Sequence, residues 1–199
     1  MHTIYFDFGN VIGFFDHWKS INRLVRYTKL SGPELFDVLL CNQLEDDYER
    51  GALTSAEYIR EGIDRAKMTC TPTEFHDAFR DIFTPNPEVC EAIPKLAQHY
   101  RILLASNTND MHFSHYCEQF QDVLSHFAAL PTSHQAKARK PETGFFDYAQ
   151  SFAKAKPGEC VFVDDLAINI AAGQQYGWNG LHYTPGCLKE KLKSFGIAL

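Results

Sequence analysis

The chain has 199 residues, 45% of them hydrophobic and 22% charged, with a formal net charge of -6 and a pI near 5.8. This is the composition of a globular protein with enough apolar material for a sizeable core, and it excludes a disordered chain. No Lys/Arg stripe offers a nucleic-acid face and no run is apolar enough to span a bilayer, so neither nucleic acid nor a membrane is an expected partner.

In chain order, Thr3-Ile-Tyr-Phe-Asp-Phe is short, apolar and β-rich and reads as a buried strand that Gly9 and Asn10 then punctuate. The segment from Met1 to Phe15 lacks a basic start and is interrupted by Asp7, so it is not read as a signal peptide. From Asp16 to about Phe83 the pattern is helical. Trp18, Ile21, Leu24 and Val25 share a face, Pro33 opens a second helix, and Thr54 with Glu57 forms a capping box. Thr71-Pro72-Thr73-Glu74 is a stronger helix start, followed by a stripe of Phe75, Phe79, Ile82 and Phe83.

The second half alternates. A helix starts at Asn86-Pro87, Arg101 to Ala105 is a strand, and a helix runs from about Asp110 to Val123. A short strand is expected near Phe127 to Leu130, then a loop to Lys140-Pro141 and a helix striped by Phe145, Phe146, Ala149 and Phe152. Cys160 to Val163 is a strand ending in Asp164-Asp165; Ile168 to Tyr176 is helical, Gly180 to Tyr183 a strand, and Leu188 to Phe195 a last helix. Strands alternating with helices imply an α/β fold, a parallel sheet covered on both faces. The expected division is a core of residues 1-15 and 84-199 with a helical cap of residues 16-83. Six cysteines (Cys41, Cys70, Cys90, Cys117, Cys160 and Cys187) form no Cys-x-x-Cys pair and read as free thiols, which fits a reducing cytoplasm.

In such sheets ligands sit beyond the carboxyl ends of the strands. Three of those ends carry polar clusters: Asp7, Ser106-Asn107 and Asp164-Asp165. A carboxylate at the end of a buried strand is costly unless it is paired or binds a metal. Three of them together need a positive partner, and a hard divalent cation with oxygen ligands, Mg²⁺, fits. Lys140 can neutralise both a carboxylate and a transferring phosphoryl group. Taken singly, Lys140 is a surface lysine, Ser106-Asn107 a turn or N-cap, and His112 and His115 are surface or packing residues.

Taken jointly, Asp7 in Phe-Asp-Phe-Gly-Asn-Val-Ile, Ser106-Asn107-Thr108-Asn109, Lys140-Pro141, and Val163-Asp164-Asp165 with Asn169 resemble the haloacid dehalogenase (HAD) superfamily, subfamily IA, over nearly the whole chain. Asn10-Val11-Ile12 and Tyr48-Glu49-Arg50-Gly51 look like the branch containing α-D-glucose-1-phosphate phosphatase. The resemblance implies a three-layer Rossmann-like core and a cytoplasmic phosphatase, monomeric or a small homo-oligomer, acting on a small phosphomonoester such as a sugar phosphate. Asp7 would attack phosphorus and form an aspartyl-phosphate that water hydrolyses. Mg²⁺ would bind Asp7, the Gly9 carbonyl and Asp165, with Asp164 acting directly or through water. Ser106, Asn107 and Lys140 would hold the phosphoryl oxygens, with Asn10 also on the substrate side.

One departure matters. Most phosphatases of this superfamily carry a second aspartate two residues after the nucleophile, as general acid and base; here that position is Gly9. Asp16 or His17 could substitute from the hinge of the cap. Two rival readings follow from the missing acid: a metal-independent 2-haloacid dehalogenase on the same Asp7, which the paired Asp164-Asp165 argues against, and a non-catalytic binding protein. Trp18, Tyr48 and Tyr58 could stack on substrate or belong to the cap's core, and Glu45-Asp46-Asp47 could select a polar substrate or be a solvated helix face.

Overall fold

A computed structural model describes residues 1–199. Four strands, β1 (Thr3–Phe6), β4 (Arg101–Leu104), β5 (Cys160–Asp164) and β6 (Asn179–His182), pair in parallel in the order β4-β1-β5-β6. Two further strands, β2 (Gly13–Phe15) and β3 (Phe83–Pro85), form a separate antiparallel ribbon. The chain leaves and re-enters the sheet layer through this ribbon, so both crossings lie side by side. The helical stripe expected to reach Phe83 ends at Arg80, and Phe83 opens β3; each strand of the ribbon is only three residues long, too short to show a period in sequence.

Helices α1 (Trp18–Leu24), α2 (Gly32–Leu40), α3 (Gln43–Glu49), α4 (Ser55–Arg65) and α5 (Pro72–Arg80) lie between β2 and β3. The expected capping boxes at Thr54/Glu57 and Thr71/Glu74 are formed, with each threonine accepting from the glutamate N–H and each glutamate accepting from the threonine N–H. These helices gather their own buried cluster, including Leu35, Leu39, Phe75 and Phe79. Tyr48 and Tyr58 belong to it, stacked 4.4 Å apart, so both are packing residues and neither faces a ligand. Trp18 is exposed and leans on Phe36 instead.

The sheet is covered by α6 (Pro87–Leu96), α7 (Asp110–Gln119), α8 (Gln121–Leu124), α9 (Ser133–Ala136), α10 (Thr143–Gln150), α11 (Ala167–Tyr176) and α12 (Leu188–Ser194). Side chains alternate across β1: Ile4 and Phe6 enter one apolar layer, Tyr5 the other. The central strands are buried along their whole length, as parallel strands under helices on both faces should be. The helix expected to run from Asp110 to Val123 breaks at Phe120 into α7 and α8. The strand expected near Phe127 to Leu130 does not form. That segment makes only isolated bridges, Leu103 to Ala129 and Ser106 to Thr132, alongside the edge strand β4. All six cysteines are free thiols, and no helix is long and apolar enough to cross a membrane.

Candidate active site

Because β1, β4 and β5 are parallel and adjacent, their carboxyl ends lie at one edge. Asp7 follows the last residue of β1, Asp164 ends β5, and Asp165 comes next. Ligand atoms of the three carboxylates lie within 4.8 Å of one another. Lys140 reaches between two of them, its Nζ 3.0 Å from Asp7 Oδ1 and 2.6 Å from Asp164 Oδ2. Its side chain is 1% exposed. Burial pulls the lysine pKa down, but the Asp164 and Asp7 carboxylates outweigh it and hold the ammonium charged.

The three acids are not equivalent. Asp164 is fully buried and satisfied by protein: Lys140 and Asn169 donate to Oδ2, and Asn169 and the Leu166 N–H donate to Oδ1. Asp165 is partly exposed, and only Asn10 Nδ2 donates to it, at 3.1 Å on Oδ2. Asn10 stands in the left-handed region at φ 55°, which asparagine tolerates better than most residues. Asp7 accepts from the Phe8 N–H and Lys140. Burial raises its pKa; Lys140 pulls it down, while Asp164 and Asp165 push it further up. Burial likewise raises that of Asp165. Three acids against one ammonium leave this edge short of positive charge, which is the condition a hard divalent cation satisfies.

Ser106 and Asn107 follow β4 into the same edge. The Asn107 carboxamide is fully engaged: its Oδ1 accepts the Lys140 N–H at 2.8 Å and its Nδ2 donates to the Lys140 carbonyl at 2.9 Å. Asn107 therefore grips the backbone of the lysine rather than offering its side chain to a ligand. Its backbone N–H donates to no protein atom. Ser106 is buried, with its hydroxyl making only a long 3.4 Å contact to the Asn107 carbonyl.

A cavity of about 70 Å³ opens between this edge and the helices of residues 16–83, lined by Phe8, Gly9, Phe15, His17, Glu49, Ile82, Phe83, Ser106, Asn107, Thr108, His112 and Tyr116. A Cβ at Gly9 would come within 3.0 Å of the exposed Phe15 ring, which would have to shift by a few tenths of an ångström to admit one. Asp16 is exposed and its Oδ1 accepts the Trp18 N–H, a hinge cap outside the cavity. Larger hollows, about 690 and 640 Å³, lie on the far side of the helical block and contain none of the strand-end residues.

The Tyr48-Glu49-Arg50-Gly51 run becomes legible only in three dimensions. The Tyr48 hydroxyl accepts the Met111 N–H at 3.0 Å. Glu49 Oε2 lies 2.9 Å from Arg139 Nη2. Arg50 grips Glu142 through both terminal nitrogens, at 2.7 and 2.6 Å, and Asp46 through Nε. The Gly51 carbonyl accepts from Lys137 Nζ at 2.6 Å. Gly51 has φ 63°, and a Cβ there would fall 2.3 Å from the His134 carbonyl oxygen, so only glycine permits this approach. Asp46 also pairs with Arg139 at 2.8 Å. The acidic Glu45-Asp46-Asp47 run is thus, through Asp46, part of a seam rather than a free face. Arg139 was invisible as a site residue in the sequence, although it directly precedes Lys140.

No protein-family model matches the chain. A curated relative, the D-ribitol-5-phosphate phosphatase of Bacteroides thetaiotaomicron, is 25% identical over 182 residues, covering 88% of each chain. A HAD family enzyme of the same organism superposes with a TM-score of 0.84 at 22% identity, covering 94% of this chain and 95% of that one. That enzyme has also been solved with magnesium and inorganic phosphate. A HAD-like family hydrolase of Porphyromonas gingivalis superposes with a TM-score of 0.83 at 22% identity, over 99% and 98% of the two chains. The resemblance read from the strand-end motifs is borne out at the level of the HAD fold; the glucose-1-phosphatase branch is not singled out.

Proposed function

From a chain with the fold of the haloacid dehalogenase family and that family's strand-end residues, we propose a magnesium-dependent phosphatase that hydrolyses a small phosphomonoester through an aspartyl-phosphate on Asp7. The observation that carries this reading is the meeting of Asp7, Asp164, Asp165 and Lys140 at one sheet edge. The substrate is a sugar or polyol phosphate, a class supported by the ribitol-phosphate relative and the magnesium-phosphate complex of a structural neighbour.

The residues divide the work. Asp7 and Asp165, each with unfilled acceptor capacity, and the Gly9 carbonyl would hold the metal. Mg²⁺, when bound, neutralises the excess acid charge and the charge on the transferring phosphoryl group. Asp164 has its acceptors filled and anchors Lys140. The Asp7 carboxylate attacks phosphorus, and the aspartyl-phosphate is then hydrolysed by water, replacing one difficult displacement with two easier ones. Lys140 lies beside the nucleophile to balance charge on the phosphoryl oxygens, and the Ser106 hydroxyl and Asn107 N–H supply further donors. The helical block of residues 16–83 acts as a cap that closes the cavity over the leaving group.

A panel of phosphate esters assayed with Mg²⁺ tests this. Phosphate release that EDTA abolishes and Asp7→Asn lowers by at least ~10³-fold is expected. Turnover undiminished by Asp7→Asn, or chloride release from 2-haloacids in EDTA, would refute it.

A further inference from the structure

An ester with a poor leaving group needs a proton delivered to the departing oxygen, and general acid catalysis is worth about 10²–10⁴-fold. Gly9 has no side chain to deliver it, and the Phe15 ring lies beside the position where one would project. The cavity beside Gly9 is otherwise walled by Phe8, Phe15, Ile82 and Phe83 on one hand and Ser106, Asn107 and Thr108 on the other. The ionisable groups it contains are Glu49, His17, His112 and Tyr116.

Three of these are unsuited to the task. His112 is fixed on both ring nitrogens, by Asn109 and the Phe79 carbonyl. His17 has a buried Nδ1 without a partner, but burial lowers its pKa, so it is neutral and has no ready proton to give. Burial holds the Tyr116 phenol far above its ordinary value, so it stays protonated throughout and can only donate a hydrogen bond. Glu49 differs. Its Oε2 is buried without a hydrogen bond, touching only the Arg139 guanidinium, and no protein donor serves Oε1. Burial raises its pKa, against the pull of Arg139, Lys140 and Arg50 and with the push of Asp46. Glu49 is the one carboxyl group lining the cavity, and burial favours its protonated form more than it would for an exposed glutamate.

We propose that Glu49, presented by the cap helix α3, is the general acid and base of this site, in place of the carboxylate absent at residue 9. The inference rests on the phosphatase reading. As the bond between Asp7 and phosphorus forms and the ester P–O bond breaks, the Glu49 carboxyl passes its proton to the leaving oxygen and an alcohol departs. Water then attacks phosphorus, the Asp7–phosphorus bond breaks, the water's proton goes to the Glu49 carboxylate, and inorganic phosphate leaves. Both groups end as they began. The acid is in place only when the cap is closed, so a substrate that fails to close it loses this assistance.

Rapid-mixing kinetics of Glu49→Gln, with D-ribitol 5-phosphate and p-nitrophenyl phosphate as probes, separates this role from a structural one. Nitrophenolate leaves without a proton. The variant is therefore expected to keep a fast burst of one nitrophenolate per protein, followed by slow turnover, while kcat on the alkyl ester falls about 10²-fold. Glu49→Asp should recover part of that loss. A burst slowed as much as the alkyl ester, or an alkyl rate unchanged in a folded variant, would overturn the assignment. Nitrophenolate release insensitive to Asp7→Asn would instead overturn the phosphatase reading beneath it.

Discussion

The carboxylates at the sheet edge and those on the α3 seam are handled in opposite ways. At the edge, Asp7, Asp164 and Asp165 share one buried ammonium and remain short of positive charge. Along the seam, Asp46 and Glu142 face Arg50 and Arg139, neutralise each other and stay partly exposed. On the proposed function, the uncompensated buried cluster is where a cation and a phosphoryl group would sit. A compensated one marks a joint. Glu49 is the exception on the seam, the one acid that also faces the cavity.

The largest effect that sharpens this contrast is expected from Lys140→Met. Removing one partner of a buried charge pair costs about 3–5 kcal/mol, because the remaining charges stay buried. Denaturant unfolding in EDTA should show a loss of that order, and Mg²⁺ should restore part of it. A variant as stable as wild type in EDTA would break the contrast.

Asn107→Ala comes next. The carboxamide holds the Lys140 backbone through two hydrogen bonds, so its loss should let the ammonium drift. A displacement near 1 Å at a reacting centre costs about 10²-fold in rate. The drop should be in kcat with little change in KM, since the side chain does not face the ligand. A pure KM effect would return Asn107 to direct substrate binding.

His112 tests by pH the junction between the sheet layer and the helices of residues 16–83. It stacks on Phe79 at 4.8 Å and faces the Phe79 carbonyl through Nε2 at 3.3 Å. Burial lowers its pKa to about 3. The unfolded chain, with a histidine pKa of about 6.5, takes up the proton first. The neutral ring's contribution is thus fully present above roughly pH 6.5 and is lost as pH falls toward 3, which amounts to about 2 kcal/mol at pH 5. Wild type should lose that much more stability than His112→Gln between pH 7 and pH 5. Parallel losses would show that the ring is hydrated.

The smallest effect is expected from Arg50→Ala. Its partners are partly exposed, and such pairs contribute about 0.2–1 kcal/mol and weaken with salt. The change should fall on KM, should shrink at high ionic strength, and should leave the unfolding midpoint nearly unmoved. A loss of several kcal/mol would mean that the seam is core rather than joint.

The strand-end site was legible because each piece has a local signature: an apolar β-run that stops at a polar residue, repeated at Asp7, Ser106 and Asp164. Parallel pairing then does the assembly. The helix starts at Thr54 and Thr71 were legible for the same reason, since a capping box spans only four residues. Tertiary reach was not legible. Arg50 meets Glu142 across 92 positions, and Arg139 meets Asp46 across 93. The β2–β3 ribbon joins segments too short to carry a period, and the Phe15 ring comes beside Gly9 only in the folded chain. The resemblance singled out Tyr48-Glu49-Arg50-Gly51 without saying what it touches.

The most direct measurement is fluorine NMR of the protein with beryllium fluoride and Mg²⁺, a mimic of phosphorylated aspartate. A protein-bound trifluoride signal is expected that vanishes on chelating the magnesium and never forms in Asp7→Asn. A bound signal that persists in Asp7→Asn, or none at all with folded wild-type protein, would contradict the placing of nucleophile and cation at this edge.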